Sequence, residues 1–446
     1  MAETGAGHFV PAVWTIAPFI GILLSIALLP LVVPHIWEHH YGKISACWMV
    51  IAAVLMYSSV PQGVSFVSAY GPEFFKTYEE YIAFIILLGS LFIISGGIYI
   101  SGNLPGTPLV NTAIIAIGTL LASVIGTTGA AMLLIRPLMR ANQNRSRQIH
   151  VVLFFIFLVC NIGGSLTPIG DPPLFLGFLQ GIPFEWTLSL TPQWLFTSVI
   201  LLAIFYVLDR VLIRQEKPLE GDQSRVSIKI EGGVNFILLL GVVVAVVLSG
   251  VLHFETVIPF FGLGEIHLQN LLRDGMQIVL AIISLVITSK AVRASNHFNF
   301  EPIKEVAYLF IGIFTTMIPA LMILNARGGE LGLNSPTAYF WITGALSAFL
   351  DNAPTYLTFL ATAMGSLGIT EAIDMTRSAG PESILTGISL GAVFMGALTY
   401  IGNGPNFMVK AIAESQGIRM PSFFGYFAYS AVILLPVFFL MTLIFF

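Results

Sequence analysis

Charge is scarce in this chain of 446 residues: 9% are Asp, Glu, Lys or Arg and 56% are hydrophobic, where an average soluble domain carries roughly 25% charged residues. So few ionic groups cannot cover a water-facing surface, so the two or three soluble domains that the length alone would suggest are excluded. Nor is there an excess of positive charge. Nineteen Lys and Arg against 23 Asp and Glu leave a formal net charge of −4, which offers no basic face to phosphates and excludes nucleic acid as a partner. Cysteine is nearly absent: Cys47 and Cys160 cannot form the disulfide framework of a small secreted protein. No G-x-x-x-x-G-K-[ST], G-x-S-x-G or G-x-G-x-x-G stands in a credible setting, so ATP-driven pumping within this chain is unsupported. The first apolar stretch has no basic run before it and no small-residue cleavage pattern after it, so it reads as a retained membrane helix rather than a signal peptide.

What the chain has is long apolar runs. A helix needs about 20 apolar residues to cross a hydrocarbon core, which predicts simple spans near 14–33, 44–61, 81–102, 191–213, 233–252, 274–289, 305–324 and 422–445. Four further apolar blocks, 107–139, 150–182, 338–365 and 384–414, are interrupted at their middles by Gly, Pro, Asn, Asp or Thr. Irregular backbone at membrane depth is tolerated only inside protein or along a watery cavity, so function is sought there.

Parity organises these segments. With 107–139 and 338–365 as re-entrant hairpins and 150–182 and 384–414 as broken helices that cross, each half has five crossings and one hairpin. Five is odd, so the second half (233–446) is inserted upside down relative to the first (1–213), and both termini share one side. Charge tests the arrangement. With the termini outside, the inner loops hold thirteen Lys and Arg, among them Lys43, Arg140, Arg145, Arg147, Arg214 and Lys290, against four in the outer loops, Lys76, Arg273, Arg327 and Arg377. That asymmetry satisfies the positive-inside rule. The polar stretch 214–232 mixes both charge signs and reads as a cytoplasmic linker between the halves. The expected fold is therefore an all-α polytopic protein of the plasma membrane or cell inner membrane, built from inverted-topology repeats.

Inverted repeats place similar motifs at matching points, and four motifs do so. SVIGTTGAA (Ser123–Ala131) interrupts the first hairpin and GSLTPIGDPP (Gly164–Pro173) the first broken helix; AFLDNAPTY (Ala348–Tyr356) and GALTYIGNGPN (Gly396–Asn406) do the same in the second half. They align Gly126 with Asp351, Thr127 with Asn352, Thr167 with Thr399, Gly170 with Gly402 and Asp171 with Asn403. Gly and Pro break the helix and free backbone carbonyls, while Thr, Asn and Asp add side-chain oxygens, a ligand set that suits a hard cation such as Na⁺. Half-helix N-termini could equally hold an anion. Of 23 acidic residues, only Asp171 and Asp351 fall at the middle of an apolar block, where a carboxylate costs about 2.5–3.5 kcal/mol and is a functional candidate by default. The plain alternative is that Asp171 and the threonines cap broken half-helices.

Other candidates weigh less. Glu79, Glu80 and Glu305 sit at expected helix starts, where a carboxylate is ordinary. His35, Glu38 and His39 match an H-x-x-E-H spacing but occupy an expected short loop with no third ligand nearby. Lys410 and Arg136 are read as snorkelling to the cytoplasmic interface, with pairing to the site carboxylates as the alternative. A membrane-embedded enzyme would need a nucleophile or metal constellation at depth. None is found, so the protein reads as no enzyme, with no cofactor beyond transported ions.

The segments IGTTGAAMLLIRPLM, CNIGGSLTPIGDPP, LSAFLDNAPT and LTYIGNGPN resemble the paired hairpin-tip and broken-helix signatures of the ion-transporter superfamily, most closely the NhaD-type sodium/proton antiporters and their citrate-transporter relatives. The resemblance covers nearly the whole chain. It implies an elevator-type carrier, usually a homodimer, with ion sites between each hairpin tip and the neighbouring helix break. Carried onto this sequence, it nominates Thr127, Thr128, Asn161, Thr167 and Asp171 in one half, and Asp351, Asn352, Thr355, Thr399, Asn403 and Asn406 in the other. The expected activity is exchange of Na⁺ or Li⁺ for H⁺, with Asp171 and Asp351 binding either cation or proton. The alternative is Na⁺- or H⁺-coupled transport of citrate or a dicarboxylate.

Overall fold

The computed structural model describes residues 9–102, 104–216, 229–252 and 254–446. The first half runs α1 (Ala17–Val32), α2 (Pro34–Ser59), α3 (Phe66–Ser95), β1 (Tyr99–Ser101), α4 (Pro108–Ile125), α5 (Thr127–Ala141), α6 (Ile149–Leu158), α7 (Pro172–Leu179) and α8 (Thr191–Arg214). After β2 (Lys229–Glu231) come α9 (Val234–Val251), β3 (Val257–Phe260), β4 (Gly264–His267), α10 (Leu268–Ile287), α11 (Lys290–Ser295) and α12 (Glu301–Arg327). The chain ends with α13 (Pro336–Ser347), α14 (Asn352–Leu367), α15 (Ala379–Met395), α16 (Gly404–Ser415) and α17 (Phe423–Phe445). Among the described residues, eleven helical stretches are long and apolar enough to cross a membrane, and the protein is a multi-pass α-helical membrane protein. Most of the linker expected at 214–232 lies outside the described residues.

Helix starts follow local chemistry. Ser65, Thr107, Ser289, Ser335 and Ser422 each accept a hydrogen bond from the backbone N–H three residues on, satisfying donors that a helix N-terminus leaves free. Two starts correct the sequence reading. α2 begins at Pro34 rather than 44, and α3 at Phe66 rather than 81. Counting apolar residues stops at His35 or Glu79, whereas the backbone ladder continues through polar residues as long as its N–H and C=O groups stay paired. The segment holding His35 and His39 is therefore helical, not a loop. Its two rings stack at 4.6 Å, and among the described residues no group of three His, Cys, Asp or Glu could hold a metal. Likewise Glu79 and Glu80 lie midway along α3, not at its start. Residues 99–101, expected as helix, pair antiparallel with β2.

Both interrupted hairpin blocks fold back on themselves. Gly126 between α4 and α5 has φ +78°, a conformation that costs a side chain but not glycine. Asn111 and Asn142 exchange amide hydrogen bonds of 2.9 and 2.8 Å, and Gly118 faces Leu134. Each pair is nearly equidistant from Gly126, so the two arms are antiparallel. α13 and α14 pack together around the break at 348–351. Small residues then let the broken helices approach. Gly387 and Gly391 of α15 touch the backbone of Pro336 and Phe340, and Gly344 of α13 touches Met395. That register runs in parallel, as does Gly118 on Val159 and Gly163 on Thr119 in the first half, the close packing small residues permit between membrane helices.

The connections gather at two ends. At one, Asn296 donates to Gly96 O (3.0 Å) and Ile98 O (2.7 Å), Asn235 to Gly97 O (2.9 Å), and Arg140 to Tyr99 OH (2.7 Å). At the other, Lys76 donates to Gln180 (2.9 Å), Asn270 to Glu79 (3.1 Å), and Phe75 stacks on Phe260. The basic end also holds a buried ionic cluster that the sequence reading missed. Asp209 of α8, 0% exposed, meets Arg145 at 2.6 Å, His150 at 2.8 Å and Asn111 at 3.0 Å. It ties both arms and the base of the first hairpin to α6 and α8. Asp209→Ala removes the nearer of two carboxylates from the buried Arg145, leaving Glu216 at 3.7 Å, and strips His150 of its partner, a loss of up to about 3–5 kcal/mol. The detergent-solubilised variant should unfold at a markedly lower temperature, with Asp209→Asn between it and the wild type; equal unfolding midpoints would show that the pair contributes nothing.

Candidate functional site

The four helix breaks meet at one carboxylate. α6 ends at Leu158, the 3-10 turn Ile162–Leu166 follows, and the chain runs extended through Asp171 before α7 restarts. Asp171 is the N-cap residue of α7. Pro172 and Pro173 fill the first two helical positions, where a missing N–H leaves nothing unpaired. Gly126, Asp351 and Asn403 hold the same N-cap position on α5, α14 and α16. Thr167 and Thr399 both follow a 3-10 turn, as its C-cap. Every pair aligned from the sequence motifs thus occupies equivalent local positions.

Asp171 is 1% exposed and is held wholly by uncharged donors. Thr127 Oγ1 (3.0 Å) and Asn403 Nδ2 (2.9 Å) donate to Oδ1, and Asn352 Nδ2 (2.6 Å) donates to Oδ2. Thr127 comes from the first hairpin tip, Asn352 from the second and Asn403 from the second broken helix, so both halves complete one coordination shell. Behind it, Asn403 Nδ2 also reaches Cys160 O (2.9 Å), Asn161 Nδ2 bonds Asn406 Oδ1 (2.7 Å), and Asn406 Nδ2 bonds Gly396 O (2.8 Å) and Thr399 O (3.0 Å). Asn352 Oδ1 is buried and has no hydrogen-bond partner. Beside a carboxylate, such a free oxygen is a ligand in waiting for a hard cation. Four helix N-termini turn positive ends toward the carboxyl group, which has no basic residue beside it. No salt bridge among the described residues involves Asp171.

The remaining nominees divide by task. Thr167 donates to Ser123 O and Thr399 to Ala348 O, each stitching a helix break to the neighbouring hairpin tip. Thr355 donates to Asp351 O at 2.8 Å within its own helix. Asp351 is only half-buried, and its carboxylate accepts from Ala353 N at 3.0 Å. It caps α14 and stands outside the hydrogen-bonded shell of Asp171. Thr128 lines a cavity of about 70 Å³ together with Gly126, Thr127, Gly170, Leu91 and Ile303. Lys410 pairs with Glu414 at 3.0 Å over the Tyr400 ring, and Arg136 has one buried guanidinium nitrogen without a partner. The sequence reading missed Ser123, which donates to Gly163 O, and the carbonyl of Cys160. A serine of the second tip, Ser347, donates to Ala392 O, but it stands one position out of the register that aligns Gly126 with Asp351, so the repeat carried no signal for Ser123, and a backbone carbonyl leaves none.

If these donors hold an ionised Asp171, removing one is felt through that charge. Asn403→Ala should destabilise the protein by about 1–3 kcal/mol, and the penalty should shrink when Asp171→Asn is combined with it. A double-mutant cycle on thermal unfolding reads the coupling; strict additivity would show that the Asn403 bond carries no weight.

No curated protein matches the chain. A family model described as "Putative citrate transport" matches residues 8–446, a span that includes both hairpins, both broken helices and every residue around Asp171. With almost its full length matched and its helix breaks converging on one buried carboxylate, the chain belongs to this citrate-transport family of the ion-transporter superfamily.

Proposed function

We propose that the protein is a secondary transporter that exchanges Na⁺ or Li⁺ for H⁺, with Asp171 as the group that binds either. One observation carries the reading: a fully buried carboxylate, without an ion pair among the described residues, surrounded by neutral oxygen and amide groups from both halves. Such a carboxylate is neutralised by a proton or by a small cation. The two compete for the same oxygens, and a carrier that crosses only when neutral then exchanges one for the other. Asn352 Oδ1 and Thr127 Oγ1 would complete the cation's shell, Asn403, Asn161 and Asn406 would hold its second layer, and Asp351 at the half-buried tip would attract cations into the site. In the same proposal α4–α8 and α13–α17 form the moving unit of an elevator built from inverted repeats, and Thr167 and Thr399 keep its parts together.

A second reading rests on a different observation. The family's description names citrate, and four helix N-termini that converge can hold carboxylates of a substrate as well as that of Asp171. Against it, no Lys or Arg stands at any of the four breaks, and a multivalent anion at midplane would favour a fixed positive charge. Proteoliposomes separate the two. With an acid-loaded lumen, external NaCl or LiCl should raise the internal pH without any organic anion. Asp171→Asn should abolish the response, while Asp351→Asn should weaken it. Accumulation of labelled citrate under an inward cation gradient, with no cation-driven pH change, would replace the first reading by the second.

We also propose that the basic end faces the cytoplasm and both termini face outward. In a Cys47→Ser background, Gln215→Cys should resist an impermeant maleimide applied to intact cells, and Glu185→Cys should react. The reverse pattern would turn the topology over.

A further inference from the structure

We infer that the hydrogen-bond chain Lys76–Gln180–Glu80 is a conformational latch between α3 and the broken helix, one that holds the site open toward the basic end of the molecule. The inference rests on the proposal that the carrier alternates between two states. Gln180 directly follows α7, whose N-cap is Asp171. A helix of 8 residues spans about 12 Å, so a displacement that carries Asp171 also carries Gln180. Its amide is used at both ends: Oε1 accepts from Lys76 Nζ at 2.9 Å, and Nε2 donates to Glu80 Oε1 at 2.9 Å. Glu80 is 8% exposed, and among the described residues it belongs to no salt bridge. A neutral amide thus stands between a cation and a buried carboxylate. Such a bridge is weaker than a direct ion pair and can be broken in each cycle.

The rest of α3 supplies the other half of the argument. Glu80, Phe84, Leu87 and Leu91 recur at helical spacing on one face. At the Glu80 end that face is bonded to α7. Further along, Leu91 and Ser95 pack against the hairpin at Gly126 and Gly129, while Leu88, Leu91 and Phe92 line the cavity of about 70 Å³ that reaches Gly126, Thr127 and Gly170. Its far wall is Pro302, Ile303 and Val306 at the start of α12, close to the cluster of basic connections. α3 is therefore hydrogen-bonded to the broken helix at one end and borders the cavity beside the hairpin tip at the other.

The test reads access, not transport. In a Cys47→Ser background, Leu88→Cys reports the cavity, and an impermeant maleimide is applied to right-side-out and everted membrane vesicles. With the latch intact, Leu88→Cys should react from the side on which Ile303 lies. Losing a hydrogen bond to a charged group shifts a two-state equilibrium by on the order of tenfold, so Gln180→Ala should lower that labelling rate several-fold. Lys76→Ala, at an exposed residue, should shift it in the same direction by less, and it decides the question if Gln180→Ala fails to reach the membrane. An unchanged Leu88→Cys rate in an inserted variant would overturn the latch. Because labelling needs no substrate, the outcome stands apart from the ion-exchange reading: Asp171→Asn with intact exchange would sink that reading and leave the labelling result untouched.

Discussion

Everything in the centre of this protein depends on backbone that leaves the helix where no water can pair with it. An unpaired N–H or C=O in hydrocarbon costs several kcal/mol, so four breaks at depth are possible only if they satisfy one another. They do so pairwise. Thr167 donates to Ser123 O while Ser123 donates to Gly163 O, and Thr399 donates to Ala348 O while Ser347 donates to Ala392 O. Each hairpin tip and its neighbouring broken helix are one hydrogen-bonded body. Neither break would be tolerable without the other, which is why hairpin and broken helix recur together in both halves.

The two halves share this stitching but differ at the N-caps, and the difference creates the site. Gly126 at the first tip needs its positive φ and brings no side chain; its counterpart Asp351 brings a carboxylate that is spent on capping α14. At the broken helices the order reverses, with Asp171 in one half and Asn403 in the other. Two acids at equivalent positions would place like charges together in a medium of low dielectric. One acid faced by one amide makes a hydrogen bond of 2.9 Å instead, and the near-symmetry of the frame ends in a single central carboxyl group.

How far all this was legible follows from which forces act locally. Length and apolar content determine that a segment crosses a membrane, so the spans were readable. Gly, Pro and Asn at mid-block determine that a helix breaks, so the four breaks were readable as well, and with them Asp171, Thr127, Asn352 and Asn403. Helix starts were misplaced at Pro34 and Phe66 because a helix propagates through His35, Lys76 and Glu79 regardless of their polarity. Glu80 was set aside as an ordinary helix-start carboxylate and Asp209 was passed over, for a related reason. Burial is a property of the neighbours, and Gln180 and Arg145 lie 100 and 64 positions away in sequence. Asp351 was ranked beside Asp171 because both sit in apolar blocks; which of them is enclosed is decided by the opposite half.

The buried charges differ in how they are compensated, and compensation predicts mobility. Asp209 has Arg145, His150 and Asn111 around it; separating such a group would strand several charges at once, so the base of the first hairpin and α6 should move as one with α8. Glu80 is compensated through an amide that belongs to another element, so its partner can leave and return. Asp171 is compensated only by the dipoles of Thr127, Asn352 and Asn403. Strongly paired charge fixes an element, bridged charge joins elements reversibly, and a carboxylate with no charged partner is, in the function proposed above, the group left for the cargo. The same carboxylate chemistry thus serves three ends in one chain, divided by the partner each side chain is given.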